Sequence, residues 1–154
     1  MEKETISRSL QLYSQATNIP LCLFEAGNQT GKFSHEVQDF NLPLLLFSCM
    51  GEEVPDVWYS FTPEYAYFGG VRLDDGAIIF LGPTLLGECT DVQAAALRRR
   101  LGRRPQDTAS IRQYFTLTGP HNLKSLKAAL TLLCRLFGRP EPAPEEIPLL
   151  PFTW

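Results

Sequence analysis

Hydrophobic residues recur at helical spacing near the start of the chain. Ile6, Leu10 and Tyr13 follow one another at intervals that place them on one face of an α-helix. The polar residues between them fall on the other faces: Glu2, Lys3, Arg8 and Gln11. The pattern predicts an amphipathic helix at the N-terminus.

A compact apolar run follows this helix. Pro20 favours an extended backbone at Ile19, and residues 21–24 are all apolar, up to the turn signal Ala26-Gly27-Asn28. We expect a buried strand over this run. It should pair as a hairpin with a weaker strand over residues 32–35.

A short buried helix is predicted over residues 41–51. Asn41 can act as its N-cap, Pro43 fits the first turn, and Gly51 lies just beyond the apolar run. The residues in between are nearly all apolar, so we expect this helix to be covered by the rest of the protein.

Three more strands are predicted in the middle of the chain, over residues 57–61, 65–73 and 77–81. The last two are joined by Asp74-Asp75-Gly76, and an Asp-Gly pair between β-rich runs is a strong hairpin signal because the turn needs positive φ. Gly69-Gly70 lies inside the longer strand. This pair indicates a bulge or a close approach of another group to the backbone.

The rest of the chain is predicted to be mainly helical. Thr90 and Gln93 have the spacing of a capping box, so a helix should run from Thr90 to about Leu101, with Gly102 as its C-terminal cap. A shorter helix is expected over residues 107–115, and a longer one over residues 120–137. The longer helix carries one broad apolar face: Leu123, Leu126, Leu130, Leu133, Cys134 and Phe137.

Short connections between successive strands force antiparallel neighbours. The sequence therefore predicts an α+β fold with about five antiparallel strands and flanking helices, packed mainly on one side of the sheet. The domain should span residues 1–138. Residues 139–154 are rich in Pro and Glu and are expected to form an extended linker or tail, although its end, residues 149–154, is apolar again.

Length and composition narrow the functional classes. A chain of 154 residues can bury a core without disulfides or metal, and its 44% hydrophobic and 20% charged residues are typical of globular domains. The net charge of -3 argues against a broad nucleic-acid-binding surface. Because the N-terminus has no signal-peptide pattern and no apolar run could cross a bilayer, we expect a cytoplasmic protein without membrane contact.

Few residues could carry chemistry. The histidines, His35 and His121, are expected on the surface, and neither a nucleophile elbow nor a complete phosphate-binding loop is present. The four cysteines lie too far apart for a redox pair or a zinc site and are interpreted as buried thiols: Cys22, Cys49, Cys89 and Cys134. We therefore expect no enzyme, no metal and no cofactor.

Basic residues cluster near the end of the helix predicted at residues 90–101. A solvated helix end is the simpler interpretation, since the helix dipole favours cations there. The alternative is a contact with an anion or an acidic partner, and in a dimeric or multidomain context the cluster could form salt bridges with the acidic residues Glu141, Glu145 and Glu146. The cluster consists of Arg98, Arg99, Arg100, Arg103 and Arg104.

Several segments together resemble the N-terminal sensory region of AraC-type bacterial transcriptional regulators, in which a PAS- or GAF-like domain precedes two helix-turn-helix motifs. The resemblance covers roughly residues 5–137. It implies a sensor that binds an effector or dimerises while DNA is read by a module absent from this chain. The segments are Leu12-Tyr13, Ile19-Pro20-Leu21-Cys22-Leu23-Phe24 with Gly27, Tyr67-Phe68-Gly69-Gly70-Val71 and Ile79-Phe80-Leu81-Gly82-Pro83.

Aromatic residues concentrate in the central strands and suggest a ligand site, although sheet aromatics also build cores. The resemblance implies a small-molecule effector held between the sheet and its covering helices, and a homodimer. The candidate ligand-binding residues are Cys22, Tyr59, Tyr67 and Phe80. The alternative function is a standalone protein-protein interaction domain of PAS/GAF-like fold, which docks through its long C-terminal helix and the apolar residues 149–154.

Overall fold

The computed structural model describes residues 2–33, 41–50 and 54–152. Within these ranges the α-helices are α1 (Lys3–Thr17), α2 (Leu42–Phe47), α3 (Asp91–Arg100), α4 (Asp107–Thr118) and α5 (Leu123–Leu136). The strands are β1 (Leu21–Glu25), β2 (Asn28–Phe33), β3 (Val57–Phe61), β4 (Tyr67–Arg72) and β5 (Ile78–Thr84). A short 3-10 helix, Pro144–Glu146, follows α5.

The strands form one antiparallel sheet in the order β2-β1-β5-β4-β3. β1 and β2 form one hairpin, and β3, β4 and β5 form a meander whose last strand lies beside β1. This arrangement confirms the predicted α+β fold with five antiparallel strands and flanking helices.

Helices cover both faces of the sheet, so the expectation of helices mainly on one side is wrong. One core lies between the sheet and α2, α3 and α4, and the other between the sheet and α1 and α5. β1 is buried on both faces, because Cys22 and Phe24 point into the first core and Leu21 and Leu23 into the second. A continuous apolar run is typical of a strand covered in this way.

The central hairpin and its glycines are confirmed. Gly76 has φ +89°, and the Leu73 N–H donates to the Ala77 carbonyl at 2.7 Å across the turn. The β4–β5 register shifts between Tyr67 and Gly69, as expected for a bulge. A Cβ at Gly70 would lie 2.7 Å from the Trp58 ring, so this glycine permits the close approach that the sequence indicated.

The first hairpin is tighter than predicted. Ala26 and Gly27 form a two-residue turn with φ +50° and +80°, and β2 starts at once with Asn28 rather than at Lys32. Positive φ at both turn positions matches the twist of the flanking strands, so two residues are enough to connect them. His35 lies outside the described residues.

The helix starts show which capping signals are used. The capping box of Thr90 and Gln93 is present, and the Leu44 N–H donates to Asn41 Oδ1 at 3.4 Å. By contrast, α5 begins at Leu123 with Asn122 as its N-cap rather than near Pro120. Pro120 instead forms a β-bridge with Leu85, which holds this segment extended beside the end of β5.

The C-terminal segment is extended and packed against the sheet. Tyr59 on β3 accepts a hydrogen bond from the Leu150 N–H at 2.8 Å and donates to the Pro148 carbonyl at 3.1 Å. Ile147 is buried in the core under α5, and Phe152 contacts Phe68 in the other core. Residues 147–152 therefore cover the outer edge of β3, although the domain limit at residue 138 itself stays a prediction.

Candidate functional site

The four candidate ligand-binding residues do not meet in one site. Cys22 and Phe80 are register partners on β1 and β5 and point into the core under α2. Tyr59 and Tyr67 lie on β3 and β4 at the opposite face, beside α5. The sheet separates the pairs, so a single ligand cannot contact all four side chains.

Cys22 and Phe80 are part of the packed core. Both are fully buried, and the Gln29 amide lies 3.2 Å from Cys22 Sγ. Burial raises the pKa of the Cys22 thiol to about 11, which keeps it protonated at neutral pH. A protonated, inaccessible thiol is a poor nucleophile and a poor ligand contact.

Tyr59 and Tyr67 belong to a partly exposed aromatic surface, which we call the tyrosine patch: Tyr59, Phe61, Tyr65 and Tyr67. The Phe61 ring lies 5.1 Å from that of Tyr67 and 6.3 Å from that of Tyr65. Burial, followed by the neighbouring Tyr65 and Tyr59, raises the pKa of Tyr67. Lys127 Nζ on α5 lies 4.8 Å from the centre of the Tyr59 ring.

A partly enclosed groove of about 520 Å³ lies near the end of β4 that is remote from Tyr67, between α2 and two hairpin turns. One face of α2 forms its wall, and the opposite face, with Leu42 and Leu46, is anchored in the core. We call it the α2 groove. It is lined by Phe24, Ala26, Gly27, Leu44, Phe47, Ser48, Arg72, Gly76 and Ile78.

The α2 groove has an aromatic floor. The rings of Phe24 on β1 and Phe47 on α2 are stacked, with centroids 4.0 Å apart, and Phe80 packs edge-on against Phe47 at 5.9 Å. The candidate residue Phe80 thus supports the groove from below without lining it. Such a surface can hold an apolar or aromatic group by burial and ring stacking.

Arg72, at the end of β4, gives the groove a charged side. Its Nη2 donates to the Val54 carbonyl at 3.0 Å, and its Nε lies 3.6 Å from Asp56 Oδ1. Asp56 also lies 3.8 Å from Arg139, which forms a second ion pair with Asp74. This network ties the end of α5 to the turn of the central hairpin.

Within the described residues, three of the five arginines in the basic cluster have a carboxylate partner near α3 and α4. Arg100 donates to the almost buried Glu64 at 2.9 Å, and Arg103 and Arg104 lie within 4 Å of Asp107. Glu141 pairs instead with Arg135 on α5 at 2.6 Å. Within the chain Glu141 is thus engaged with Arg135, and a salt bridge between the cluster and the acidic residues in a dimeric or multidomain context stays a prediction.

Residues 2–33, 41–50 and 54–152 contain no group of three or more His, Cys, Asp or Glu side chains that could hold a metal ion. Nor does any helix in this part of the chain combine the length and the apolar character needed to cross a membrane.

Sequence reasoning missed the α2 groove. Its residues come from distant parts of the chain, and only its rims, at Gly27 and Gly76, carried a local signal as turn residues. Comparison with known proteins adds no assignment, because no family model, curated protein or solved structure matches this chain.

Proposed function

We propose that this protein is a regulatory domain that senses a small molecule in the α2 groove. The observation that carries this proposal is the groove itself, with its volume of about 520 Å³ and its stacked Phe24 and Phe47 rings. Ligand sites in proteins are typically concave, mainly apolar and of this size, with a few polar groups that orient the ligand.

The resemblance to the sensory region of AraC-type regulators supplies the context of the proposal. In that context the domain acts in the cytoplasm of a bacterium, and a DNA-binding module carries the output. α2 has only six helical residues and forms one wall of the groove. A ligand that contacts Leu44 and Phe47 would favour conformations in which α2 is docked, and this shift in population is the proposed signal.

A ligand screen by thermal unfolding tests this proposal. A metabolite present at about 100 times its dissociation constant should raise the melting temperature by roughly 6–10 °C, since binding adds about 2.7 kcal/mol to stability. Ser48→Trp places an indole in the groove and should abolish the shift. Leu132→Trp is the matched control, because Leu132 is exposed on α5, which packs on the opposite face of the sheet from α2. Two results would refute a ligand in the groove. One is a rise in melting temperature that persists in Ser48→Trp, and the other is no rise in the wild-type protein with any member of a broad metabolite set.

The tyrosine patch favours a second candidate function, protein interaction or homodimerisation. Tyr65 is 57% exposed and holds φ at +66°, a conformation that bulky residues rarely adopt. Residues kept in such conformations cluster at functional sites, and tyrosine is enriched at the centres of interfaces. The exposed Leu149, bridged to Tyr59, extends the apolar area.

Sedimentation equilibrium tests whether the tyrosine patch is a dimerisation surface. Tyr65→Asn removes the ring while suiting the positive φ, so it should weaken self-association at least tenfold without lowering stability. Leu86→Asn, at another exposed apolar position, is the control. A monomeric wild-type protein, or equal effects of both substitutions, would count against a dimer interface at the patch.

A further inference from the structure

Arg72 has more hydrogen-bonding capacity than its described neighbours use. A guanidinium carries five N–H donors, and only the Nη2 contact to the Val54 carbonyl is within hydrogen-bond distance among the described residues. The contact to Asp56 is longer, at 3.6 Å. The side chain is 29% exposed and lines the α2 groove, so the remaining donors are accessible to a ligand.

The counter-ion of Arg72 is readily exchanged. The Asp56 side chain is 69% exposed and is shared between Arg72 and Arg139, at 3.6 and 3.8 Å. An exposed ion pair of this kind contributes little to stability, because water solvates both charges and the Coulomb attraction is weak. A second carboxylate can therefore displace Asp56 from Arg72 without a large penalty, while Asp56 keeps its contact to Arg139.

The rest of the groove is suited to an apolar group. The stacked Phe24 and Phe47 rings and Ile78 lie in the same groove as Arg72. A planar guanidinium fork binds a carboxylate through two parallel hydrogen bonds, whereas a neutral ligand would leave the donors unused. The charge at one side and the aromatic floor thus complement a molecule with an acidic group and an apolar body.

We propose that the α2 groove recognises small aromatic or aliphatic acids, with the acid group bound by Arg72 and the apolar body against Phe24 and Phe47. This inference rests on the proposed function, since it specifies the ligand class of the same groove. It makes Arg72 a binding and specificity residue and Asp56 a competitor for it.

Two fluorescent probes test the inference on the full chain. 8-Anilinonaphthalene-1-sulfonate carries a negative charge, and N-phenyl-1-naphthylamine shares its aromatic body but is neutral. The wild-type protein should bind both saturably, and Ser48→Trp should weaken both. Arg72→Met should weaken the anionic probe about tenfold or more and change the neutral probe less than about twofold, as expected for loss of a charge-assisted hydrogen bond.

Two further substitutions sharpen the readout. Asp56→Asn removes the competing carboxylate and should tighten the anionic probe about two- to fivefold, an effect opposite in sign to that of Arg72→Met. Arg112→Met is the matched control, because Arg112 pairs with the exposed Asp91 away from the groove. It should change neither affinity. Near-UV circular dichroism verifies that each variant keeps its native packing.

The outcomes separate the inference from the proposed function. If Arg72→Met weakens both probes equally, or weakens neither, the acid-binding role of Arg72 is overturned while a groove ligand remains tenable. If the wild-type protein binds neither probe saturably, the groove itself fails as a ligand site. Selective loss of the anionic probe together with its tighter binding to Asp56→Asn supports the inference.

Discussion

Single residues in the turns hold conformations that their side chains disfavour. Ala26 has φ +50° in the turn between β1 and β2, on the rim of the α2 groove. A β-carbon in the left-handed region lies close to the following carbonyl, whereas asparagine tolerates this region better. This position therefore reduces the stability of the native state while keeping the hairpin tight.

Ala26→Asn is expected to raise the free energy of unfolding by about 0.5–1 kcal/mol, because asparagine suits the positive φ of a two-residue hairpin turn. Equilibrium urea unfolding measures the change. Ala128→Asn in the exposed middle of α5 is the control and should lower stability by about 0.5 kcal/mol through helix propensity. If both substitutions changed the free energy of unfolding in the same direction, the explanation by the positive φ of Ala26 would be contradicted.

Burial of the Cys22 thiol makes stability depend on alkaline pH. Its pKa is about 11 in the folded protein against an ordinary value near 9.0, so the unfolded chain loses this proton first as the pH rises. The stabilising effect is therefore complete below pH 9 and is lost as the pH rises toward 11.

Between pH 9 and 10 the wild-type protein should lose stability more steeply than Cys22→Ala, by up to about 1 kcal/mol per pH unit. Urea unfolding in the presence of a reductant measures both slopes. Burial also raises the pKa values of the Tyr13 and Tyr114 hydroxyls. Both tyrosines are present in both proteins, so their contributions to the two slopes cancel. Parallel slopes would show that the thiol is solvated in the native state.

At the scale of elements, β3 and β4 depend on contacts that leave no room for a side chain at Gly70. Its missing Cβ would lie 2.7 Å from the Trp58 ring, which is itself fully buried among Phe68 and Phe80. The indole cannot shift without disturbing this aromatic cluster. The packing of β3 against β4 therefore depends on the contact between the Trp58 indole and Gly70.

Gly70→Ala should lower the free energy of unfolding by about 1–3 kcal/mol, as overpacking of a dense core does. Gly87→Ala is the matched control, since a Cβ there meets no atom within 4 Å and its φ is not positive. Chemical denaturation followed by far-UV circular dichroism compares the two. A loss at Gly87 as large as that at Gly70 would refute the steric explanation.

Elements with local signals could be predicted from the sequence. The capping box at Thr90 and the Asp-Gly turn before β5 each need only neighbouring residues, and both are confirmed. The end of β5 could not be predicted in this way. Gly82-Pro83 indicates a break, yet β5 continues to Thr84, with the Gly82 N–H donating to the Pro20 carbonyl at 2.8 Å. A distant partner segment overrides the local preference there.

The candidate site depended on information that the sequence lacks. Alternation along β3 places Tyr59 and Phe61 on one face, and both belong to the tyrosine patch. It could not show that Cys22 and Phe80 point to the opposite face, because that depends on the register between strands and on the bulge in β4. The α2 groove likewise exists only once two hairpin turns and α2 have converged.

At the scale of the whole molecule, the C-terminal segment covers the outer edge of β3 and contacts both cores. Ile147 is 4% exposed in the core beneath α5, while Leu149, two residues later, is 49% exposed beside Tyr59. In a free linker, neither side chain would contribute to the stability of the domain. A packed segment should depend on Ile147 far more than on Leu149, because only Ile147 is removed from water.

Ile147→Ala should therefore lower the free energy of unfolding by about 2–4 kcal/mol, and Leu149→Ala by less than about 1 kcal/mol. Urea unfolding at equilibrium measures both, and native hydrogen exchange of the Tyr59 amide reports whether the segment detaches. Small and equal losses would mean that residues 139–152 do not stabilise the domain and that it ends at residue 138. A selective loss at Ile147 would instead extend the cooperative unit through the segment to Phe152, so that any signal from the α2 groove could reach the C-terminal end of the chain through packed contacts.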